Sequence, residues 1–369
     1  KNTIMPSQFN LKNPVKLAVI GAGLIGSKHA RIIKNHKASV LVGICDIDQT
    51  RNSIADSLKV PFYKDPDEML LKQKPEGVII ATPSSDHENM AQICVARSVN
   101  ILIEKPIAET AESANNIIKL SHEGGVKILV GHHRRHSPYI KKARSILMNG
   151  EIGGLVAVSM LWTLLKPPEY FDIQWRGNKP SGGPVLINLI HELDILRYIC
   201  GEINQIFAYS SSSTRNLPVE DSLSISISFR NGAVGSIIAS DSAPSPWSYE
   251  STTKENTFYF PTDENCYYFL GTKGSLAIPK MELWQYPDIN KSGWQYPIEK
   301  SSRMIPYKDP LISQLEHFCK VIQGKENPIS SAIEATRSLY AVLAVQESMA
   351  KNIPVKVVQD TTQNTNLKR

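Results

Sequence analysis

An apolar strand-like run, Val15 to Ile20, leads straight into Gly21-Ala22-Gly23-Leu24-Ile25-Gly26, and a helical pattern at His29 to Lys34 follows. A glycine-rich turn alone is common. Set between a buried-type strand and a helix, it reads as a dinucleotide-binding turn. Gly21 serves the tight turn, Gly23 lets backbone approach a pyrophosphate, and Gly26 allows the helix to pack closely on the strand. Leu24 and Ile25 complete the loop, where the helix N-terminus offers unpaired N–H groups and the positive end of its dipole. Asp46 stands about twenty residues further on, at the end of the second strand, placed to accept hydrogen bonds from ribose hydroxyls. Its carboxylate repels a 2′-phosphate, and the next residues, Ile47 and Asp48, bring no cation to offset this, so the pattern favours NAD over NADP. Thr82 and Pro83 follow the third strand and border the same crevice. His87 opens the next helix, either as a cofactor contact or as a capping or solvent-facing residue.

The surrounding rhythm fits that reading. Compact apolar runs at Val15 to Ile20, Val40 to Asp46, Gly77 to Ala81, Asn100 to Glu104 and Lys127 to Gly131 alternate with helical patterns at Asn52 to Leu58, Asn89 to Ala96 and Ala111 to His122. This is how a doubly wound parallel sheet, covered on both faces, looks in sequence. After Pro138 period-two alternation takes over, in Val156 to Met160, Ser224 to Phe229 and Ala233 to Ala239, as in antiparallel strands with one apolar face. The Ser-rich opposite face is either solvated or laid against the same face of another subunit. Ser210 to Ser213 reads as a strand end or loop. Asp309-Pro310 opens a helix through Ile322, and a last helix spans about Ser331 to Ala350. The expected organisation is α/β: an N-terminal tail over 1–14, a Rossmann domain over 15–137, an α/β domain with a large, mostly antiparallel open sheet over 138–357, and a C-terminal tail over 358–369.

Bulk composition excludes several classes. Apolar residues make up 41% and charged residues 21%, close to globular averages, and the net charge of +6 is spread along the chain rather than gathered in a basic stripe, so nucleic acid is not an expected partner. No apolar stretch reaches the roughly 18 to 20 residues that span a bilayer. Five cysteines are scattered without a CxxC pair or metal-ligand spacing. The expectation is a reduced, cytoplasmic protein with neither membrane nor metal.

Three further motifs lie at strand ends or open the second domain: Glu104-Lys105-Pro106, Gly131-His-His-Arg-Arg-His-Ser-Pro138, and Gly182-Gly183-Pro-Val-Leu-Ile-Asn-Leu-Ile-His191-Glu-Leu-Asp194. Together with the glycine turn they make the chain, from Val15 to about Val357, resemble the glucose-fructose oxidoreductase, inositol dehydrogenase and MocA family. The resemblance implies a Rossmann domain followed by an α/β domain whose open sheet builds dimers or tetramers. It also implies that Lys105 matches the family's catalytic lysine and His191 its helix histidine. One departure stands out. Inositol-type members carry an aspartate four residues before the histidine, where this chain has Ile187.

Oxidising an alcohol needs a base within reach of the hydroxyl proton while hydride leaves carbon, and histidine titrates in the useful range. On a helix, Asn188, His191 and Asp194 share one side at i,i+3 spacing. Lys105, at the carboxyl edge of a buried strand, can hold the substrate oxygen and stabilise developing alkoxide. Glu104 beside it is counted with Lys105 among the cofactor contacts. With Ile187 in the acid's place, Asn188 or Asp194 is left to orient the imidazole. His133, Arg134, Trp175, Arg176 and Asn188 join Lys105 and His191 as candidate substrate contacts, the arginines as receptors for an anionic group or as partners of domain-interface carboxylates. Trp247, Tyr249, Tyr259, Tyr267, Tyr268 and Phe269 read as a lid or an intersubunit contact. The function that follows is NAD-dependent oxidation of a secondary hydroxyl in a sugar, sugar acid or cyclic polyol. A nucleotide-sugar dehydrogenase of the same family, or a non-catalytic NAD-binding regulator, are the alternatives.

Overall fold

The computed structural model describes residues 13–358, and the expected tails, 1–14 and 358–369, fall almost wholly outside them. The chain divides into two units, residues up to 133 with 311–336, and 134–310 with 337 onward. The first holds a six-stranded, all-parallel sheet: β1 (Val15–Ile20), β2 (Ser39–Cys45), β3 (Phe62–Tyr63), β4 (Gly77–Ile80), β5 (Asn100–Ile103) and β6 (Ile128–Val130), in the order β3-β2-β1-β4-β5-β6. Helices α1 (Leu24–Asn35), α2 (Asn52–Leu58), α3 (Pro66–Gln73), α4 (His87–Ala96) and α5 (Ala111–Gly124) intervene. Nearly every residue of β1, β4 and β5 is buried, as strands covered on both faces must be. The order reverses between β1 and β4, so the loops after β1, β4 and β5, carrying Gly21, Thr82 and Lys105, lie side by side at the carboxyl edge where such sheets bind ligands.

Two elements here escape pattern reading. Strand β3 is two residues long, too short for periodicity, and α3 announces itself only by Asp65, whose side chain caps it through Asp67 N, and by Pro66 at its first position. The domain expectation also needs one amendment. The helix Pro310–Ile322, expected with the second domain, packs Leu315, Phe318 and Cys319 into the first unit's core beside Leu17 and Ile79. Gly77 makes room for it: a Cβ there would lie 2.6 Å from Ile322 Cδ1 and 3.0 Å from Phe318 Cζ.

The second unit carries a nine-stranded sheet: β7 (Leu155–Thr163), β8 (Ile203–Ser211), β9 (Ser222–Phe229), β10 (Val234–Ser240), β11 (Tyr267–Gly271), β12 (Ser275–Ile278), β13 (Glu282–Gln285), β14 (Glu299–Ser302) and β15 (Val355–Lys356), ordered β14-β13-β12-β11-β7-β10-β9-β8-β15. Only β7 and β10 pair in parallel. One face is covered by α6 (Pro138–Met148), α7 (Ile190–Cys200) and the long helix Ala332–Lys351, through Ile140, Leu193, Leu196, Val342 and Val345. On the other face Val156, Val234, Ile238, Ser224 and Ser226 are exposed, the alternation expected of a sheet buried on one side. Among the described residues no helix is long and apolar enough to cross a membrane.

Candidate active site

In the first unit the glycine turn is sterically obligatory at two positions and open at a third. Gly21 has φ +90°, and a Cβ on it would stand 2.6 Å from the Ala81 carbonyl; one on Gly26 would fall on the Gly21 carbonyl oxygen. A Cβ on Gly23 meets nothing within 4 Å. Gly23 also caps α1 without any side-chain hydrogen bond, which leaves the helix N-terminus to a ligand. Asp46 accepts from Ala22 N at 2.6 Å and from Asp48 N at 2.9 Å, so the acid expected at the ribose also braces the glycine turn. The side chains of Leu24 and Ile47 are exposed on either side, and Ile25 is half-buried. Thr82 Oγ1 is a buried hydroxyl with no partner among the described residues, while Pro83 next to it is exposed. A cradle open at Gly23, an uncapped helix end and an orphan hydroxyl at a neighbouring strand end all fit a dinucleotide.

Lys105 sits between two residues held by buried histidines. Glu104 Oε1 meets His29 Nε2 at 2.7 Å, and Gly131 leaves room for the carboxylate, since a Cβ there would lie 2.9 Å from it. Burial acts to raise the Glu104 pKa, but the His29 hydrogen bond and the charges of His29, His133 and Lys105 outweigh it and hold the carboxyl below its usual range. Beyond Lys105, His87 Nδ1 faces the carbonyls of Pro106 (3.0 Å) and Ile107 (3.2 Å), and its Nε2 faces that of Thr82 (3.1 Å). His87 is therefore neither solvent-facing nor a helix cap. It ties the loop after β4 to the loop after β5, and burial pushes its pKa down. His29 was not singled out from the sequence. Its only signal is its place one turn after Gly26, on the helix face turned toward the sheet.

In the second unit, one wide π-turn (Val185–Leu189) leads into α7, whose first turn carries His191, 7% exposed. Glu220 fixes the start of this turn, accepting from Val185 N at 3.0 Å and filling the space over Gly183. Gly182 packs against the carbonyls of Trp175 and Arg176, which explains the glycine pair. Arg176 lies 4.2 Å over the Tyr170 ring and donates to Tyr170 O at 3.1 Å, while Trp175 is half-exposed. Asn188 Oδ1 accepts from Lys166 Nζ at 3.0 Å. Lys166 was missed in the sequence, where it reads only as a lysine trailing an apolar strand. Burial pushes its pKa down, against the opposing pull of Asp241.

Several expected substrate contacts are otherwise engaged. Arg134 is buried between Glu192 and Glu250, 2.6 Å from the latter, with Tyr249 stacked 4.0 Å beneath it, so it is a structural ion-pair residue and not a receptor for an anionic substrate. Arg135 grips Asp194 through two bonds of 2.9 and 2.7 Å, and Ser338 adds a third at 2.6 Å. Both arginines pair with carboxylates of their own unit. Asp194 is thereby bound to Arg135 and Ser338. His133 is half-buried. The aromatic set divides, with Tyr249, Tyr267 and Phe269 lying in the core and Trp247 partly exposed, which removes the first three from any lid or intersubunit contact.

Comparison with known proteins decides the family. A model described as the oxidoreductase family, NAD-binding Rossmann fold, matches residues 15–132, and its companion, described as the oxidoreductase family C-terminal alpha/beta domain, matches 144–357. The chain belongs to the Gfo/Idh/MocA family. It is thus an oxidoreductase with an NAD-binding domain, and the family's two-domain plan is the one described above. Among relatives, the scyllo-inositol 2-dehydrogenase (NAD(+)) of Bacillus subtilis is 26% identical over 357 residues, covering 94% of this chain and 97% of its own. An oxidoreductase from Agrobacterium radiobacter, crystallised with NAD+, L-tartaric acid and magnesium, superposes with a TM-score of 0.79 at 19% identity over 94% of this chain and 99% of its own. The WlbA dehydrogenase from Bordetella pertussis, in complex with NADH and UDP-GlcNAcA, gives 0.75 at 21% identity over 94% and 100%. At these identities the two structures share the fold.

Proposed function

We propose that this Gfo/Idh/MocA protein oxidises a secondary hydroxyl of a sugar, sugar acid or inositol-like polyol, using NAD in preference to NADP. The observation that carries the reading is the placement of Lys105 at the end of β5, in the loop adjoining those of Thr82 and Gly21, with both flanking residues pinned by buried histidines. NAD, when bound, supplies the hydride acceptor. The Lys105 ammonium holds the hydroxyl oxygen and favours its alkoxide character, and His191 takes the proton. Asp46 prefers ribose hydroxyls to a 2′-phosphate. The nucleotide-sugar alternative is weakened, because Arg134 and Arg135 are neutralised by Glu192, Glu250 and Asp194, which leaves Arg176, held on the Tyr170 ring and carbonyl, as the cation that favours it. The exposed Val234 and Ile238 face of the second sheet is proposed to pair with a second copy, and sedimentation of wild type against Ile238→Glu tests that pairing, a monomeric wild type counting against it.

The test of the activity is a panel of inositols, aldoses, sugar acids and nucleotide sugars, offered with NAD or NADP in the presence of chelator and read as absorbance of the reduced cofactor. The expected result is reduction of NAD by a polyol or sugar, with NADP poorer. Activity that disappears in chelator and returns with zinc, or that is confined to nucleotide sugars, contradicts the proposal.

A further inference from the structure

The amide of Asn188 is set by a buried cation that no motif of the sequence announced. An ammonium has three donors and no acceptor, so the group it meets at 3.0 Å must be the Asn188 carbonyl oxygen, not the NH2. Lys166 is itself immobilised. It is 5% exposed, its Nζ stands 3.3 Å from Asp241 Oδ2, and the rings of Tyr170 and Trp162 lie 4.5 and 5.5 Å away. Asp241 is shared with Arg215, whose Nε is 3.0 Å from the other carboxylate oxygen, so the lysine is not needed merely to neutralise that acid. Asn188 is 7% exposed, yet among the described residues no acceptor pairs with its Nδ2. The small part of the Asn188 side chain that is exposed therefore includes this NH2, which is open to a partner from outside the chain.

We propose that Lys166 is a positioning residue for substrate recognition: by taking the Asn188 carbonyl oxygen, it turns the amide so that the NH2 is what the chain presents, three residues before His191, to a lone pair on the substrate. This rests on the dehydrogenase reading above and adds a specificity rule. The group recognised by Asn188 is an oxygen that accepts a hydrogen bond, such as a hydroxyl, carbonyl or carboxylate oxygen near the reacting carbon. The wide π-turn contributes by bringing residue 188, rather than Ile187, to the cation. Asn188 thus recognises substrate instead of replacing the absent acid as a partner for the imidazole.

The test compares Lys166→Met, Lys166→Arg and Asn188→Ala on the full chain. Losing one hydrogen bond to substrate should raise KM for the alcohol about tenfold in Lys166→Met, leaving kcat within about threefold and KM for NAD unchanged. Lys166→Arg should recover part of that loss. Because the lysine acts through the amide, the double variant Lys166→Met/Asn188→Ala should be no worse than Asn188→Ala alone. An unchanged alcohol KM in Lys166→Met, or losses that multiply in the double variant, overturns the proposal. Should no alcohol of the panel be oxidised, the dehydrogenase reading fails separately, and the orientation of the amide is then read by NMR of asparagine-labelled protein. The Asn188 side-chain signal, identified by its loss in Asn188→Asp, should move and lose exchange protection in Lys166→Met but not in Lys166→Arg. A signal indifferent to Lys166 sinks the idea, and thermal melts identify any variant that has merely unfolded.

Discussion

Lys105 and His191 could be picked out in the sequence because each stands inside a short motif, yet what holds them lies elsewhere in the chain. Glu104 meets His29 across 75 residues, and Arg134 meets Glu192 and Glu250 across 58 and 116. No local pattern encodes such partners, which is why the sequence leaves Arg134 open between an anion receptor and a carboxylate partner and gives Lys166 no role at all. The Glu104 pairing has a pH signature. Its folded pKa lies below the ordinary value of 4.5, so the native state binds this proton less readily than the unfolded chain. The stability it contributes is therefore present above about pH 4.5 and is lost as pH falls through the depressed value. Glu104→Gln should lower the Tm at pH 7 by about 2 to 6 °C, and the gap from wild type should narrow as the pH falls below 4.5. A gap that stays constant over that range contradicts the assignment of a charged Glu104 held by His29.

At the scale of elements, length decided what could be read. The long alternating strands β7, β9 and β10 and the continuous apolar β1, β4 and β5 declare their environment, because a strand buried on one face or two leaves a repeated pattern. The two-residue β3 and the π-turn before α7 leave none. The turn between β1 and α1 was legible in kind but not in the difference among its glycines, which depends on Ala81 and Thr82 sixty residues away. That difference makes a prediction. Gly23→Ala adds a methyl group to open space at φ −67°, so it should melt like wild type while weakening NADH binding at least about tenfold, because the methyl occupies the approach to the phosphates. Gly26→Ala should instead lower the Tm or prevent folding, since its Cβ falls on the Gly21 carbonyl. Fluorescence titration and melting curves on both variants separate the effects; equal NADH affinity for Gly23→Ala and wild type goes against the cradle.

For the whole molecule, the two-domain plan followed from length and the change of texture after Pro138, but the return of 311–336 to the first unit did not, because an amphipathic helix does not say which core it faces. Residues 1–133 alone should therefore fold poorly, their sheet lacking Leu315 and Phe318. The proposal assigns NAD and the cation Lys105 to the first unit, and the base His191 and the amide Asn188 to the second. The most direct test is Lys105→Ala, assayed for NADH formation with the best alcohol of the panel and for NADH affinity by fluorescence. The expected result is a loss of turnover of about a hundredfold to a thousandfold, with the NADH Kd within about threefold of wild type. A variant that keeps more than about a tenth of wild-type kcat at saturating alcohol, with normal NADH binding, contradicts the proposal.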